Sequence, residues 1–213
     1  MIEHLVRRIV EGAVQPSRAL SEGLALCFSQ PLDIIVLYKP SELGNPQDGM
    51  LNPYRLTAGP AHKRIIFGYL SYRDRSVDNY HIREVTAAAA THGYGPILYD
   101  TLLHSGWAIP DRGSVSKQAL RVWEYYSKSR PETVIKKIPD LLRDTSDNLQ
   151  FDERKNHLIN SMYSLPSIDQ GYDDLLGEHE KFIESMKKYK QQIVIEKKLD
   201  DLGQDFFAEK YSG

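Results

Sequence analysis

Residues 80–106, YHIREVTAAAATHGYGPILYDTLLHSG, decide the fold of this chain. Tyr80–Thr86 is rich in β-branched and aromatic residues, a composition typical of a half-buried strand. The glycines Gly93 and Gly95 follow in a turn. Pro96 then stands at the first helical position, where a proline loses no intrahelical hydrogen bond. The stretch therefore predicts a strand, a glycine turn and a helix, in that order.

The turn, Thr91 to Gly95, has the properties of a phosphate-binding site. The first backbone N–H groups of a helix have no intrahelical partner, and the helix dipole adds partial positive charge at that end. We therefore expect the backbone of Gly93, Tyr94 and Gly95 to hold an anionic group, with His92 beside it. The alternative is a purely structural turn, because glycines also open helices that bind nothing.

A short apolar run, 107–109, and a second helix, Lys117 to Ser127, follow the first helix. This order, with the run GYGPILYD…DRGSVSKQALRVWEYY, resembles the GNAT N-acetyltransferases, and most of all the small GNAT-like proteins of tailed phages. In that family an R/Q-x-x-G-x-G/A turn after the fourth strand holds the pyrophosphate of acetyl-CoA. A fifth strand follows, then a helix that opens N-x-x-A-x-x-x-Y, and that tyrosine often protonates the leaving thiolate. The resemblance implies acetyl-CoA as the cofactor.

The sequence matches these motifs at some positions and departs from them at others. Both glycines of the turn and Ala119 of the later helix match. Ala90 stands at the Arg/Gln position, Ser116 at the Asn position and Trp123 at the tyrosine position. The resemblance therefore supports the fold more strongly than the activity.

The resemblance also implies a general base and a general acid. Glu84 and His81 lie on the strand before the turn, where such families often keep a carboxylate. Side chains alternate along a strand, so at most one of the two points at a substrate. An indole is too weak an acid to replace the tyrosine, which leaves the phenols of Tyr125 and Tyr126 as the candidate acids.

The predicted fold class is α/β, a GNAT-like mixed and mostly antiparallel sheet flanked by helices. Residues 33–39 and 63–72 are the other predicted strands, and residues 40–59 form a long loop rich in turn residues. Helices are expected near the N-terminus, over 2–13 and 17–28. We expect one domain over 1–131 and a helical, charge-rich extension over 132–213.

The extension is predicted to be all-helical. Two short helices, 133–143 and 149–163, precede a longer one that carries an apolar stripe at spacings of three and four. The residues of that stripe are Tyr172, Leu175, His179, Phe182, Met186, Tyr189 and Ile193. Such a helix either packs on its own domain or pairs with another chain, so we expect a protein partner or self-association through 172–193.

Composition excludes several classes of protein. A net charge of −2 over 213 residues carries no strong signal for nucleic-acid binding. The histidines are scattered, and neither C-x-x-C nor H-E-x-x-H occurs, so no metal is expected. Cys27, the single cysteine, lies in an apolar stretch and predicts a buried structural thiol. No apolar run is long enough for a membrane span and no signal peptide is evident. We expect a cytoplasmic protein (in the host cytoplasm if phage-encoded) or a virion component.

Two functions from different classes fit these observations. The first is an acetyl-CoA-dependent N-acyltransferase that moves an acyl group to an amine, which the intact Gly-x-Gly turn favours. The alternative is a catalytically inactive protein of GNAT fold that serves as a phage virion structural or assembly component, or binds a host protein. The substituted motif positions and the long extension favour that alternative.

Overall fold

The computed structural model describes residues 13–45, 50–51, 65–75, 80–111, 115–139, 153–186 and 189–211. The helices in this part of the chain are α1 Pro16–Ser21, α2 Pro40–Leu43, α3 Gly95–His104, α4 Lys117–Lys128, α5 Glu153–Ile159, α6 Gly171–Ser185 and α7 Tyr189–Tyr211. The strands are β1 Ala25–Ser29, β2 Ile34–Tyr38, β3 Gly44–Asn45, β4 Met50–Leu51, β5 Ile66–Asp74, β6 Ile82–Ala90, β7 Trp107–Ile109, β8 Val134–Lys137 and β9 Ser161–Ser164.

The strands form a mixed seven-stranded sheet in the order β1-β2-β5-β6-β7-β9-β8, beside a two-stranded β3–β4 ladder. Strands β1, β2 and β5 pair antiparallel, as do β7, β9 and β8. Hydrogen bonds from Thr91 to Phe67 and from Arg75 to Ile82 join β5 and β6 in the antiparallel sense. Among the described strand pairs of this sheet, β6 and β7 alone run parallel, and helix α3 supplies the crossover connection that such a pair needs. The α/β class and the mostly antiparallel mixed sheet are thereby confirmed.

The chain forms two compact units, neither of which is a continuous stretch of sequence. Among the described residues, the first unit contains 72–86 and 100–168, and the second contains 13–71, 87–99 and 169–211. Strands β5 and β6 and helix α3 contribute residues to both units. The division at residue 131, expected from composition, stays a prediction.

The second unit has its core around strand β2, whose five residues are all buried. The continuous apolar run IIVLY accounts for this burial, since a strand covered on both faces loses the usual alternation of apolar and polar residues. Helices α6 and α7 cover it with Phe182, Leu199 and Phe206. The apolar stripe predicted for an interaction helix is therefore buried in its own unit from Tyr172 to Met186.

Helix α7 approaches strand β5 very closely at Gly203. A Cβ at this position would overlap the ring of Tyr69. The Tyr69 hydroxyl in turn donates a hydrogen bond of 2.7 Å to Asp200 on the same helix. Glycine is therefore required at residue 203 by the packing of the helix on the strand.

The first unit has a smaller apolar cluster made of Ile82, Ile109, Ile138 and Met162. Helix α4 contributes Trp123, which is fully buried and lies 4.9 Å from Tyr163 between ring centroids. Ser116 accepts a 3.1 Å hydrogen bond from the Ala119 N–H and so caps the N-terminus of this helix.

The prediction that residues 132–213 are all helical is wrong at two places. Val134–Lys137 forms strand β8 instead of the start of a helix, and Ser161–Ser164 forms strand β9. Among the described residues of the predicted helix 149–163, Glu153–Ile159 is helical and 161–163 belong to β9. Both strands are short, and their pairing with each other and with β7 overrides local helix propensity.

Two other helix predictions are also corrected. The helix predicted over 17–28 ends at Ser21, because Gly23 adopts a left-handed conformation with φ of 74° and Ala25–Ser29 joins the sheet as β1. The helix predicted over 172–193 is two helices, α6 and α7, with a turn at Met186. Residues 2–12 of the helix predicted over 2–13 lie outside the described residues, as do 46–49 and 52–59 of the loop predicted over 40–59. None of the described helices is both long enough and apolar enough to cross a membrane.

Candidate functional site

The glycine turn follows strand β6 directly and opens helix α3. The Thr91 N–H donates to the Phe67 carbonyl at 2.8 Å, and the Tyr94 N–H donates back to the Thr91 carbonyl at 3.0 Å. Gly93 has φ of 88°, a conformation that residues with a Cβ rarely adopt. Among the described residues, the N–H groups of His92, Gly93 and Gly95 have no hydrogen-bond partner. The turn thus presents a group of free backbone donors at a helix start.

Gly95 is not required by the packing of the fold. A Cβ at this position would meet nothing nearer than the Ala90 Cβ at 3.9 Å, and its φ is not positive. A glycine that neither conformation nor packing demands is typical of a place where a ligand approaches the backbone closely. The helix begins at Gly95, so Pro96 is its second residue. The prediction that Pro96 occupies the first helical position is therefore wrong by one residue.

Tyr94 and Val14 hold the turn in place. The Tyr94 hydroxyl donates a hydrogen bond to the Glu22 carboxylate, and its ring lies edge-on to Phe67 at 5.5 Å. Burial and then the bond to Glu22 raise the pKa of Tyr94 to about 12, while the same bond lowers the pKa of Glu22. The Val14 N–H donates to the Gly93 carbonyl at 2.8 Å. The Tyr94 side chain therefore anchors the turn. The backbone N–H groups available to a ligand are those of its neighbours His92, Gly93 and Gly95.

A cavity of about 310 Å³ lies next to the first residue of the turn. Its walls are formed by Ile66, Thr91, Phe206, Glu209 and Lys210. The last turn of α7 therefore brings a lysine to the same part of the second unit as the turn. In addition, the Tyr211 hydroxyl donates a 2.9 Å hydrogen bond to the Ala88 carbonyl of β6.

Glu84, the predicted base, is held in an ion pair in the first unit. Its side chain is almost completely buried, and its carboxylate lies 2.6 Å from Nε of Arg75. A buried carboxylate is stable in its charged form when it is paired in this way. His81, the other candidate, lies immediately before β6 and is exposed.

Tyr126, a predicted acid, also has its hydroxyl engaged. It donates a 2.5 Å hydrogen bond to the buried Asp100, which accepts a second bond of 3.0 Å from Nη1 of Arg130. Tyr125 packs against Tyr126 with ring centroids 5.2 Å apart and hydrogen-bonds to Arg130. The two phenols therefore belong to one network with an acid and a guanidinium.

Asp100 and Arg130 were not singled out from the sequence, although one signal was present. Asp100 is three residues from both Ile97 and Leu103, so it lies on the face of α3 that the sequence predicts to be buried. A carboxylate on a buried face needs a partner. Arg130 could not be identified as that partner, because it is distant in sequence and lies beyond the end of α4.

The predicted site residues thus divide between the two units. His92, Gly93, Tyr94 and Gly95 form one turn in the second unit, and Glu84, Tyr125 and Tyr126 lie in the first. Comparison with protein-family models, with curated proteins and with solved structures finds no match for this chain. The GNAT resemblance and the roles it implies stay predictions.

Proposed function

We propose that this protein is a GNAT-like N-acyltransferase that binds acetyl-CoA at the glycine turn and moves the acyl group to an amine. The observation that carries the proposal is the set of free N–H groups on His92, Gly93 and Gly95. A pyrophosphate is a multiply charged acceptor, and free backbone donors at a helix start are suited to bind it.

The position of the turn in the sheet supports the same proposal. Strand β6 is the fourth strand across the sheet, and β7, the fifth, runs parallel to it. Helix α3 connects the two, and helix α4 follows β7. The turn that grips acetyl-CoA in the GNAT family likewise follows the fourth strand and precedes the fifth.

Lys210 can supply the positive charge that the turn lacks at Ala90. In the GNAT motif that position holds an arginine or glutamine, whereas Lys210 comes from α7 and lines the cavity that begins at Thr91. An ammonium is a good partner for a phosphate as a point charge. The proposed cofactor site therefore combines backbone donors with one lysine.

Transfer requires two proton movements. The neutral amine attacks the thioester carbonyl, the C–N bond forms and the C–S bond breaks, while a base takes the amine proton and an acid protonates the thiolate. Tyr126 already donates to Asp100, so its proton is not available to sulfur at the same time. Tyr125 is therefore the stronger candidate for the acid, and Glu84 can serve as the base only if it separates from Arg75.

The engagement of Glu84 and Tyr126 favours a second candidate function. Both side chains are satisfied by partners within the first unit, as expected of structural groups. A protein of this kind can keep the acyltransferase fold without the reaction and serve as a phage virion component or a host-protein-binding component. Cofactor binding and transfer must therefore be measured separately.

Titration calorimetry with acetyl-CoA tests the cofactor site. We expect micromolar affinity for the wild-type protein and a loss of at least about 100-fold in Gly95→Val, because a side chain there blocks close approach to the N–H groups. Gly177→Val on α6 is the matched control, since a Cβ there meets nothing within 4 Å and one at Gly95 meets only the Ala90 Cβ at 3.9 Å. Circular dichroism of both variants checks that the fold is kept.

The results separate the two functions. Tight binding with acyl transfer to an amine, followed by mass spectrometry, supports the enzyme. Tight binding without transfer to any member of an amine panel supports the non-catalytic protein. Absence of binding at millimolar acetyl-CoA, or equal binding by Gly95→Val, shows that the cofactor site is wrongly assigned.

A further inference from the structure

Cys27, His179 and Glu196 meet in the core of the second unit, although they are far apart in sequence. They come from β1, α6 and α7, and all are buried. The sulfur, a ring nitrogen and a carboxylate oxygen all lie within 4.8 Å of one another. Each of these side chains is a common ligand for transition metals, and the three together are suited to zinc.

The separations are slightly longer than those of three ligands that surround one ion. Zinc ligands lie about 2.0–2.3 Å from the metal, so ligands at tetrahedral angles are roughly 3.3–3.7 Å apart. Nε2 of His179 and Oε1 of Glu196 are 4.0 Å apart, which is too long for a direct hydrogen bond. Small side-chain rotations would bring both atoms to the metal distance.

Neighbouring polar groups orient two of the ligands. The Tyr38 hydroxyl lies 2.9 Å from Nδ1 of His179, which leaves Nε2 directed at Glu196. Ser29 Oγ donates to Oε2 of Glu196 at 2.6 Å, and Gln192 donates to Oε1 at 2.9 Å. Such outer hydrogen bonds, which fix the ring and the carboxylate of the ligands, are usual around metal centres.

The charge balance of this cluster also favours a cation. Glu196 accepts its hydrogen bonds from a hydroxyl and an amide, which are both neutral. Among the described residues, no lysine or arginine forms an ion pair with it. Burying a carboxylate with only neutral donors is costly, and a divalent cation removes that cost.

We propose that Cys27, His179 and Glu196 bind one zinc ion, with a water molecule in the fourth position. Binding releases the thiol proton of Cys27 to solvent, because the thiolate is the ligand. The ion would join β1 to α6 and α7 and so stabilise the packing of the C-terminal helices on the sheet. This inference is independent of the proposed acyltransferase activity. It also replaces the expectation from the sequence that no metal is bound, since ligands so distant in sequence form no recognisable motif.

The test uses the full chain, stripped with a chelator and titrated with Co²⁺ as a spectroscopic substitute for zinc. We expect one equivalent to give a thiolate-to-cobalt charge-transfer band in the near ultraviolet, which zinc then abolishes by displacement. Because Cys27 is the single cysteine, such a band can arise only there. Elemental analysis of the untreated protein should find about one zinc per chain.

Variants assign the other ligands. His179→Gln and Glu196→Gln should lose stoichiometric cobalt binding, whereas His157→Gln, which changes an exposed histidine on α5, should bind normally. Tyr38→Phe should weaken binding about 10–100-fold through the ring orientation. The proposal is overturned if the wild-type protein shows no charge-transfer band, or if Cys27→Ser binds zinc as tightly as the wild type. The first of these results needs no variant and so does not depend on any variant folding.

Discussion

The glycine turn and the residues predicted to catalyse transfer differ in how their hydrogen-bonding groups are used. The N–H groups of His92, Gly93 and Gly95 have no partner in the described residues. Glu84 and Tyr126, in contrast, are bound at 2.6 and 2.5 Å to Arg75 and Asp100. The N–H groups of the turn are open to a ligand, whereas the side chains of Glu84 and Tyr126 already have hydrogen-bond partners within the protein.

The proposed cofactor site and the proposed catalytic residues therefore rest on separate observations. The free N–H groups of the turn cost little stability, because other hydrogen bonds hold the backbone of the turn in place. A protein can therefore keep them for binding even when it catalyses no reaction. A general base or acid must be able to exchange its proton with a substrate, and a buried ion pair restricts that exchange. The predictions below test whether the satisfied groups are structural, starting with the largest expected effect.

The largest effect is expected for Arg75→Met. Removing the guanidinium leaves Glu84 buried next to an apolar side chain, which should lower the free energy of unfolding by about 3 kcal/mol, the lower end for a broken buried pair. The value is low because the Arg75 side chain itself is 36% exposed. Urea unfolding measures it, and Arg121→Met on the exposed face of α4 is the control, with an expected change below about 0.5 kcal/mol.

The interpretation of Glu84 as a structural group would be contradicted if Arg75→Met kept the stability of the wild type and altered only acyl transfer. Glu84 would then be a working base that Arg75 positions. The double variant Arg75→Met/Glu84→Gln sharpens the result further, since it removes the buried charge and should recover part of the lost stability.

A smaller effect is expected for Tyr126→Phe. The variant loses a hydrogen bond to the charged Asp100, which should cost about 2 kcal/mol in urea unfolding. Acyl transfer should continue, because we assign the acid to Tyr125. The matched variant Tyr125→Phe should abolish transfer. If Tyr126→Phe abolishes transfer and Tyr125→Phe does not, Tyr126 is the acid and Tyr125 is structural.

The smallest effect concerns the anchor of the glycine turn. The hydrogen bond from Tyr94, and then that from Arg18, lowers the pKa of Glu22 below its usual 4.5. A carboxylate with a depressed pKa in the folded state stabilises the protein above pH 4.5, and that contribution is lost as the pH falls through the lower folded value. We therefore expect thermal unfolding of Glu22→Gln to depend less on pH below 4.5 than that of the wild type.

Glu180→Gln, which changes an exposed glutamate on α6, is the control for this titration. It should follow the wild-type curve throughout. If Glu22→Gln also follows the wild-type curve, the bond between Tyr94 and Glu22 contributes nothing measurable to the stability of the turn.

The sequence predicted those parts of the fold whose signal is local. The run IIVLY lies in the predicted strand 33–39 and forms β2, the glycines located the turn, and the helix predicted from Lys117 to Ser127 is α4. Strands β8 and β9 carry no such signal, since VIKK and SMYS are short and partly charged or polar. They exist because of the pairing that the rest of the sheet offers.

The candidate site likewise has a part that local sequence predicts and a part that depends on contacts between distant residues. The turn was predictable because its residues are adjacent and their chemistry is that of the backbone. The partners of Glu84 and Tyr126 were not, because Arg75 follows a different strand and Asp100 belongs to a different helix. The cluster of Cys27, His179 and Glu196 joins three elements, so only the folded chain brings its ligands together.

The contact between Gly203 and Tyr69 has a consequence for the evolution of this protein. The Tyr69 ring is fixed on one side by the hydrogen bond to Asp200, so it cannot turn away from a new side chain at residue 203. Even alanine there requires a smaller residue at position 69 or a shift of the whole helix. Related sequences should therefore either keep glycine at this position or change both residues together, and such paired changes would trace how α7 moved over the sheet as the family diverged.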